Sequence, residues 1–221
     1  VSTSVEQLES QGDSARRRKT RDRLIDAAYE VFAETGIHAA SVEMITERAG
    51  FTRGAFYSNF DTKEELFFAL AERENRLRFE RLQDGVDSIL PGLDATSAVT
   101  DETLSSLVMQ FLEMQGDDRR WCLVQSEFRL LAMRDATVAA SYLEYQRNFQ
   151  GELAARLEDA LRSVGLSFVI DPVAVTRMIV NVYESAMQES ILEGSNVPNM
   201  SRSPIVLGTL PPLIQSLTRP L

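Results

Sequence analysis

Apolar residues in this chain recur at three- and four-residue steps almost from end to end and hardly anywhere alternate, a pattern that builds helices and leaves no room for a large sheet. The first stripe, Leu24, Ala27, Ala28, Val31 and Phe32, predicts a helix from about Arg17 to Thr35 with Gly36 as its C-terminal cap. Ser41 can cap a short helix over 42–48, with Val42, Ile45 and Ala49 facing inward. Gly50-Phe51 is a tight turn, and Thr52 can cap a third helix over 53–58. Asp61 followed by Glu64 has capping-box spacing and opens a fourth, over about 62–83. After Pro91-Gly92, helices are expected near 101–115, 118–133 and 136–164. Asp171-Pro172 and Ser203-Pro204 each join a capping side chain to a proline at the first helical position, where its missing N–H costs nothing. The helix after Asp171 should reach Glu193 and stop at Gly194. The last should run to about Thr218, kinked or split at Pro211-Pro212. The expected fold is all-α with about nine helices: a disordered arm over 1–15, a three-helix head over 16–62 and a larger helical body over 63–221.

The net charge of −10 at first argues against a polyanionic partner, but the charge is unevenly distributed. Between Ser14 and Lys63 nine basic residues face seven acidic ones, whereas residues 64–221 carry fourteen against twenty-three and residues 1–13 three acids and no base. Arg16, Arg17, Arg18, Lys19, Arg21 and Arg23 lie within eight positions. An acidic body joined to a locally basic head can grip a nucleic acid at one end only. Other class signals are few. The single cysteine, Cys122, excludes an internal disulfide and a Cys-based zinc site. No metal or cofactor is expected. No apolar run reaches the length of a membrane span and residues 1–13 lack a signal-peptide pattern, so the expected setting is cytoplasmic, with no membrane contact.

The most informative stretch is Ser41–Lys63, SVEMITERAGFTRGAFYSNFDTK. Two short helices around a Gly-containing turn are the least that can push one helix into a major groove. Val42, Ile45, Ala49, Phe51, Phe56 and Phe60 can form a small core with the first helix. That leaves Arg53, Gly54, Ala55, Tyr57 and Ser58 outward. A glycine inside a helix costs about 1 kcal/mol relative to alanine, so Gly54 asks for a reason, and close approach of backbone to DNA supplies one. Tyr57 offers a ring for a thymine methyl and a hydroxyl for a phosphate.

The run from Ala49 to Leu66, AGFTRGAFYSNFDTKEEL, resembles the signature of the tetracycline-repressor (TetR) family, and Ala27–Gly36, AAYEVFAETG, resembles that family's first helix. The close likeness spans about Arg21–Leu70; beyond it only length and helical layout agree. The resemblance implies a one-component transcriptional repressor, with operator contacts from Ser41, Thr52, Arg53, Gly54, Ala55, Tyr57 and Lys63. Arg53 would read guanine, and Lys63 would meet phosphate. Arg17, Arg18 and Lys19 would reach phosphate or the minor groove. Ser58 and Asn59 join this set but stand where many relatives have an aromatic residue and a histidine.

The resemblance also implies a homodimer built from the last two helices. Thr176, Val180, Tyr183, Ala186, Met187 and Ser190 recur at helical spacing and form the expected interface; the same stripe can equally pack internally. Finally, it implies a pocket for an apolar or amphipathic small-molecule effector. The residues expected there are Met109, Trp121, Gln125, Phe128, Tyr145, Phe149, Met178 and Asn181, with Trp121 and Phe128 foremost. They belong to a wider supply of bulky side chains that includes Phe111, Met114 and Met133, and plain core is the competing reading for each. Two other functions stay open on the residues alone. A helical scaffold would explain the acidic body but not Thr52-Arg53-Gly54 before Tyr57. An enzyme is the remaining alternative, yet the single histidine, His38, sits in a turn, the paired acids Asp117-Asp118 look solvated, and no HExxH, GxSxG, Walker or GxGxxG pattern occurs; no catalytic residue is expected.

Overall fold

The computed structural model describes residues 2–89, 100–114, 119–195 and 199–221, with side chains from residue 15 onward except those of Asp101, Leu104 and Met114. Pro91-Gly92, Asp117-Asp118 and the Met114 side chain therefore lie outside the described residues. Nine α-helices account for most of what is described: α1 (Ser2–Thr35), α2 (Val42–Ala49), α3 (Arg53–Tyr57), α4 (Lys63–Ile89), α5 (Asp101–Met114), α6 (Arg119–Arg134), α7 (Ala136–Ser163), α8 (Pro172–Leu192) and α9 (Pro204–Ser216). The fold is all-α, as its punctuation predicted. Gly36, at φ 76°, takes the left-handed conformation just after α1, and Gly50, at φ 69°, does so after α2. Asp171 accepts a hydrogen bond from the Ala174 N–H and Ser203 one from the Val206 N–H, each with its proline at the helix start.

Four details differ from the expectation. Helix α1 begins at Ser2 and not near Arg17. Glu6, Gln7, Leu8, Glu9 and Gln11 are good helix formers with no proline among them, so propensity carries the helix where no apolar stripe marked it. Helix α4 is capped by Thr62 rather than Asp61: the Glu65 N–H donates to Thr62 Oγ1, and the Glu65 carboxylate reaches back to the Asp61 N–H. Helix α9 runs unbroken through Pro211 and Pro212. Leu210, Pro211 and Ile214 are buried and hold that helix in place despite the two missing donors. Lastly, β1 (Leu166–Phe168) pairs antiparallel with β2 (Thr218–Pro220), Ser167 opposite Arg219.

The chain divides into two compact units, one of residues 1–74 with 123–138 and one of residues 75–122 with 139–221. The first has a dense aromatic and aliphatic core. Leu24, Ala28, Val31 and Phe32 from α1, Ile45 from α2, Phe56 from α3, Phe60 beyond it, Phe67 and Leu70 from α4, and Phe128 from α6 are all buried. The second unit centres on Ala186 and Met187 of α8, Met200 in a short 3-10 turn (Met200–Arg202), and Val206 and Leu210 of α9. No helix among the described residues is long and apolar enough to cross a membrane.

Candidate DNA-binding surface

Helices α2 and α3 are too short to be stable alone, so their placement depends on end caps and on the core beneath them. Ser41 Oγ accepts from the Met44 N–H, and Thr52 Oγ1 from the Ala55 N–H. Gly50 closes α2 by donating to the Glu47 and Thr46 carbonyls. A side chain there would need the left-handed conformation and would crowd Arg23 Nη2 at 3.2 Å. On the inner side, Ile45 and Phe56 are fully buried, and Phe60 and Ala49 nearly so.

Burying Phe56 turns the other face of α3 outward. Thr52, Arg53, Gly54, Tyr57 and Ser58 are exposed, while Ala55 and Asn59 are half-buried. Gly54 is the telling position. A methyl group built on it would meet nothing nearer than Thr52 Oγ1 at 3.8 Å, so packing within the protein does not require glycine there. Ser58 and Asn59 turn back on the helix: Ser58 Oγ donates to the Gly54 carbonyl and Asn59 Nδ2 to the Ala55 carbonyl.

Arg53 is held on two sides. Its Nη1 lies 2.5 Å from Glu43 Oε1 on α2, its Nη2 is 3.4 Å from the Tyr57 hydroxyl, and its guanidinium stands 5.5 Å from the Tyr57 ring centre. The Tyr57 hydroxyl bond and the Glu43 charge both raise the Arg53 pKa, so the cation persists at every accessible pH. The pair is nonetheless in solvent, with the Arg53 side chain 63% exposed.

The basic residues of α1 divide into two sets. Arg17 donates to the Ser58 carbonyl, Arg21 to the Asn59 carbonyl at 2.8 Å, and Arg23 to the Ala49 carbonyl at 2.7 Å. Arg21 also lies over the Phe60 ring and Arg23 over Phe51. These three close the carbonyl ends of α3 and α2. Arg16, Arg18 and Lys19 are exposed, with no side-chain bond among the described residues. Lys63 belongs with the first set. Its ammonium donates to the Ile37 and Ala40 carbonyls, at 3.0 and 2.6 Å, and ties the first turn of α4 to the α1–α2 turn. Arg17 thus spends one N–H and Lys63 two of its three on carbonyls within the head, which positions both side chains and leaves each with N–H groups to donate. Sequence reasoning missed Glu43 as a part of this surface, and it read Arg21 and Arg23 as charge and not as ties to the carbonyl ends of α3 and α2.

Of the residues expected around an effector, Trp121, Tyr145 and Phe149 each meet one stretch of α4, residues 75–79. Phe128 is buried in the first unit, stacked on Phe67 with ring centres 3.5 Å apart and edge-on to Phe68. It is fully buried there. In the second unit Trp121 lies under the Arg78 guanidinium, Tyr145 bonds Asn75, Phe149 stacks on Phe79, and Asn181 is exposed. Met109 packs against the α8–α9 core; Gln125, in the first unit, and Met178 are half-buried. A cavity of about 80 Å³ in that second unit is lined instead by Leu107, Phe111, Leu157, Leu161, Phe168 and Ile179 with four other apolar residues. Phe111 is the one member of the wider aromatic and methionine supply found there. Of the expected dimer residues, Thr176, Ala186 and Met187 are buried inside their own unit, while Val180, Tyr183 and Ser190 are half-buried.

Residues 24–70 match the family profile described as bacterial regulatory proteins, tetR family. The chain is 35% identical over 111 residues to the uncharacterized HTH-type transcriptional regulator TtgW of Pseudomonas putida, covering 47% of this chain and 83% of that one. It is 24% identical over 163 residues to the regulator UidR of Escherichia coli, covering 74% and 77%. The crystal structure of the regulator FadR from Bacillus subtilis in complex with stearoyl-CoA shares the fold, with a TM-score of 0.62 at 21% identity over 85% of this chain and 96% of that one. A head with its reading helix turned outward, the profile laid on that head, and a relative matched over most of its length agree: the chain belongs to the tetR family of bacterial regulatory proteins, which are DNA-binding transcriptional regulators.

Proposed function

We propose that this regulator is a one-component repressor in the cytoplasm, binding a palindromic operator as a homodimer and leaving it when a small molecule occupies the body. In this reading residues 16–62 are the DNA-binding head and residues 63–221 serve effector binding and dimerisation. The observation that carries it is the exposed face of α3: Arg53, Gly54 and Tyr57 stand outward over a buried Phe56, with no packing reason for the glycine. Thr52, Ser41 and the exposed Arg18 and Lys19 supply groups suited to phosphate, and Arg53 supplies the fork that guanine accepts.

The dimer contact is assigned to the outward faces of α8 and α9, where Asn181, Gln188 and Leu192 and, on α9, Leu207 and Gly208 are exposed. Leu192, at 86% exposure, is the most exposed large apolar residue described in that unit. The apolar lining of the 80 Å³ cavity supports an apolar effector. Ligand pockets for drug-sized molecules run to roughly 300–1,000 Å³, so an occupant larger than a few methylenes must open the cavity, which is the coupling an induced regulator needs. Because FadR was crystallised with stearoyl-CoA, long-chain acyl thioesters are the first ligands to try.

The test is a gel shift on duplexes carrying the intergenic DNA upstream of the gene, at several salt concentrations, with and without stearoyl-CoA. A sequence-dependent, salt-sensitive complex is expected. Arg53→Ala should weaken it by about 1–3 kcal/mol and relax the preference at one base pair per half-site. An unaltered base preference in Arg53→Ala would remove α3 from the reading surface.

A further inference from the structure

Glu43 stands before the Ala49–Leu66 run, within the residues that match the family profile, and it touches the residue best placed to read a base. It stands on α2, ten positions before Arg53, with its side chain 58% exposed and its Oε1 2.5 Å from Arg53 Nη1. The opposite arm of the same guanidinium meets the Tyr57 hydroxyl. An unrestrained arginine side chain samples many rotamers at a surface, and holding it in one lowers the entropy lost on binding. A carboxylate on one Nη and a phenol on the other restrain this one while each Nη keeps a second N–H. The carboxylate also offsets the charge of Arg53. A lone arginine on this face would be drawn to any phosphate, whatever the sequence; an arginine paired with Glu43 adds little net charge to that attraction.

From this we infer that Glu43 is a specificity-determining residue of the operator-reading surface: it positions the Arg53 guanidinium for guanine and withholds its charge from phosphates at other sites. The inference rests on the reading of α3 as the operator-contacting helix. On operator DNA the Arg53 fork takes the two acceptors of a guanine edge, and the retained Glu43 contact keeps the fork in plane. On unrelated DNA, swinging Arg53 toward a phosphate breaks the pair and leaves an unpaired carboxylate facing a polyanion. Glu43 therefore penalises the wrong sites more than it strengthens the right one, a repulsive contribution to specificity.

The experiment uses the full-length protein, a pool of duplexes with a randomised core from which wild type selects its own site, and a scrambled duplex of equal length. Wild type, Glu43→Gln, Arg53→Ala and the double variant are compared by affinity on the selected and scrambled duplexes and by repeated selection. Glu43→Gln should bind the scrambled duplex about three- to fivefold more tightly, the range an exposed ion pair can contribute, with a lower selected-to-scrambled ratio and a weaker guanine preference at one position. In the Arg53→Ala background the same change should leave the base preference alone. If Glu43→Gln keeps the wild-type ratio and preference while Arg53→Ala loses them, the inference is wrong and the α3 reading stands. If wild type enriches no sequence, both fail. A thermal melt of Glu43→Gln within a degree or two of wild type is expected, and a large drop with unchanged base preference would make Glu43 structural and overturn the proposal.

Discussion

Helix starts are capped by near neighbours in both compact units, by Ser41, Thr52 and Thr62 in the first, but the carbonyl ends of the first unit's short helices are held from far along the chain. In the first, the carbonyl ends of α2 and α3 are closed by Arg23, Arg17 and Arg21, which lie 26, 41 and 38 positions away, and the α1–α2 turn is tied by Lys63. In the second, the helix starts are satisfied by their own neighbours: Asp171 takes the Ala174 N–H, Ser203 the Val206 N–H, and Asn199 the Ser201 N–H. The difference follows from length. An α-helix of five or eight residues barely outlasts its nucleation cost and has more unsatisfied end groups than internal bonds. Helices α2 and α3 therefore need polar ties from elsewhere in the fold, and long cationic side chains can supply them. Helices of 13 to 28 residues, such as α5, α7, α8 and α9, bond most of their own backbone and ask chiefly for an apolar face to bury.

That contrast is broken most severely by cutting the apolar side of it. Leu210→Ala removes a side chain with no exposed surface from the α9 core and should cost about 2–5 kcal/mol, measured by urea unfolding. Loss of under about 1 kcal/mol would mean that the second unit does not rest on this core. The head gives the opposite kind of result at Gly54. Gly54→Ala meets no obstacle inside the protein and favours helix, so stability should hold or rise by up to about 1 kcal/mol. Operator affinity should fall at least tenfold in a gel shift, because the added methyl stands between α3 and the duplex. Stability and function then move in opposite directions at one residue. A Gly54→Ala variant binding like wild type would show that backbone approach is not what the glycine serves.

Much of this was legible in the sequence, for a reason that the same contrast explains. Caps and breaks act over three or four residues, so Gly36, Ser41, Gly50, Thr52, Asp171-Pro172 and Ser203-Pro204 marked helix ends close to where they stand. The outward face of α3 followed from a short alternation of Phe56 and Phe60 with polar neighbours. Three features depended on distant partners and left no such trace. Strands β1 and β2 are three residues each and pair across some fifty positions, too short to show alternation. Phe128 has the composition of a pocket residue, but which aromatic rings it meets is decided by the tertiary packing of α4 on α6. The arginines of α1 were visible as charge, yet charge alone does not distinguish a side chain that meets phosphate from one that closes a helix.

The division of those arginines is the finest test of the comparison, since its two halves differ by small, separable effects. Arg23→Ala deletes a bond to the Ala49 carbonyl and a stacking contact on Phe51, both partly in solvent, so about 1 kcal/mol of stability should go. Its guanidinium is engaged by the Ala49 carbonyl and the Phe51 ring, so the dependence of operator affinity on salt should keep its slope. Arg18→Ala removes an exposed cation with no partner among the described residues. The melt should not move, while the slope of log affinity against log salt should fall by about 1, the signature of one lost phosphate contact. Were both variants to lower the slope equally and neither to lower stability, the arginines of α1 would be a single solvated DNA-binding run, and the short helices of the head would have to be held by their aromatic core alone.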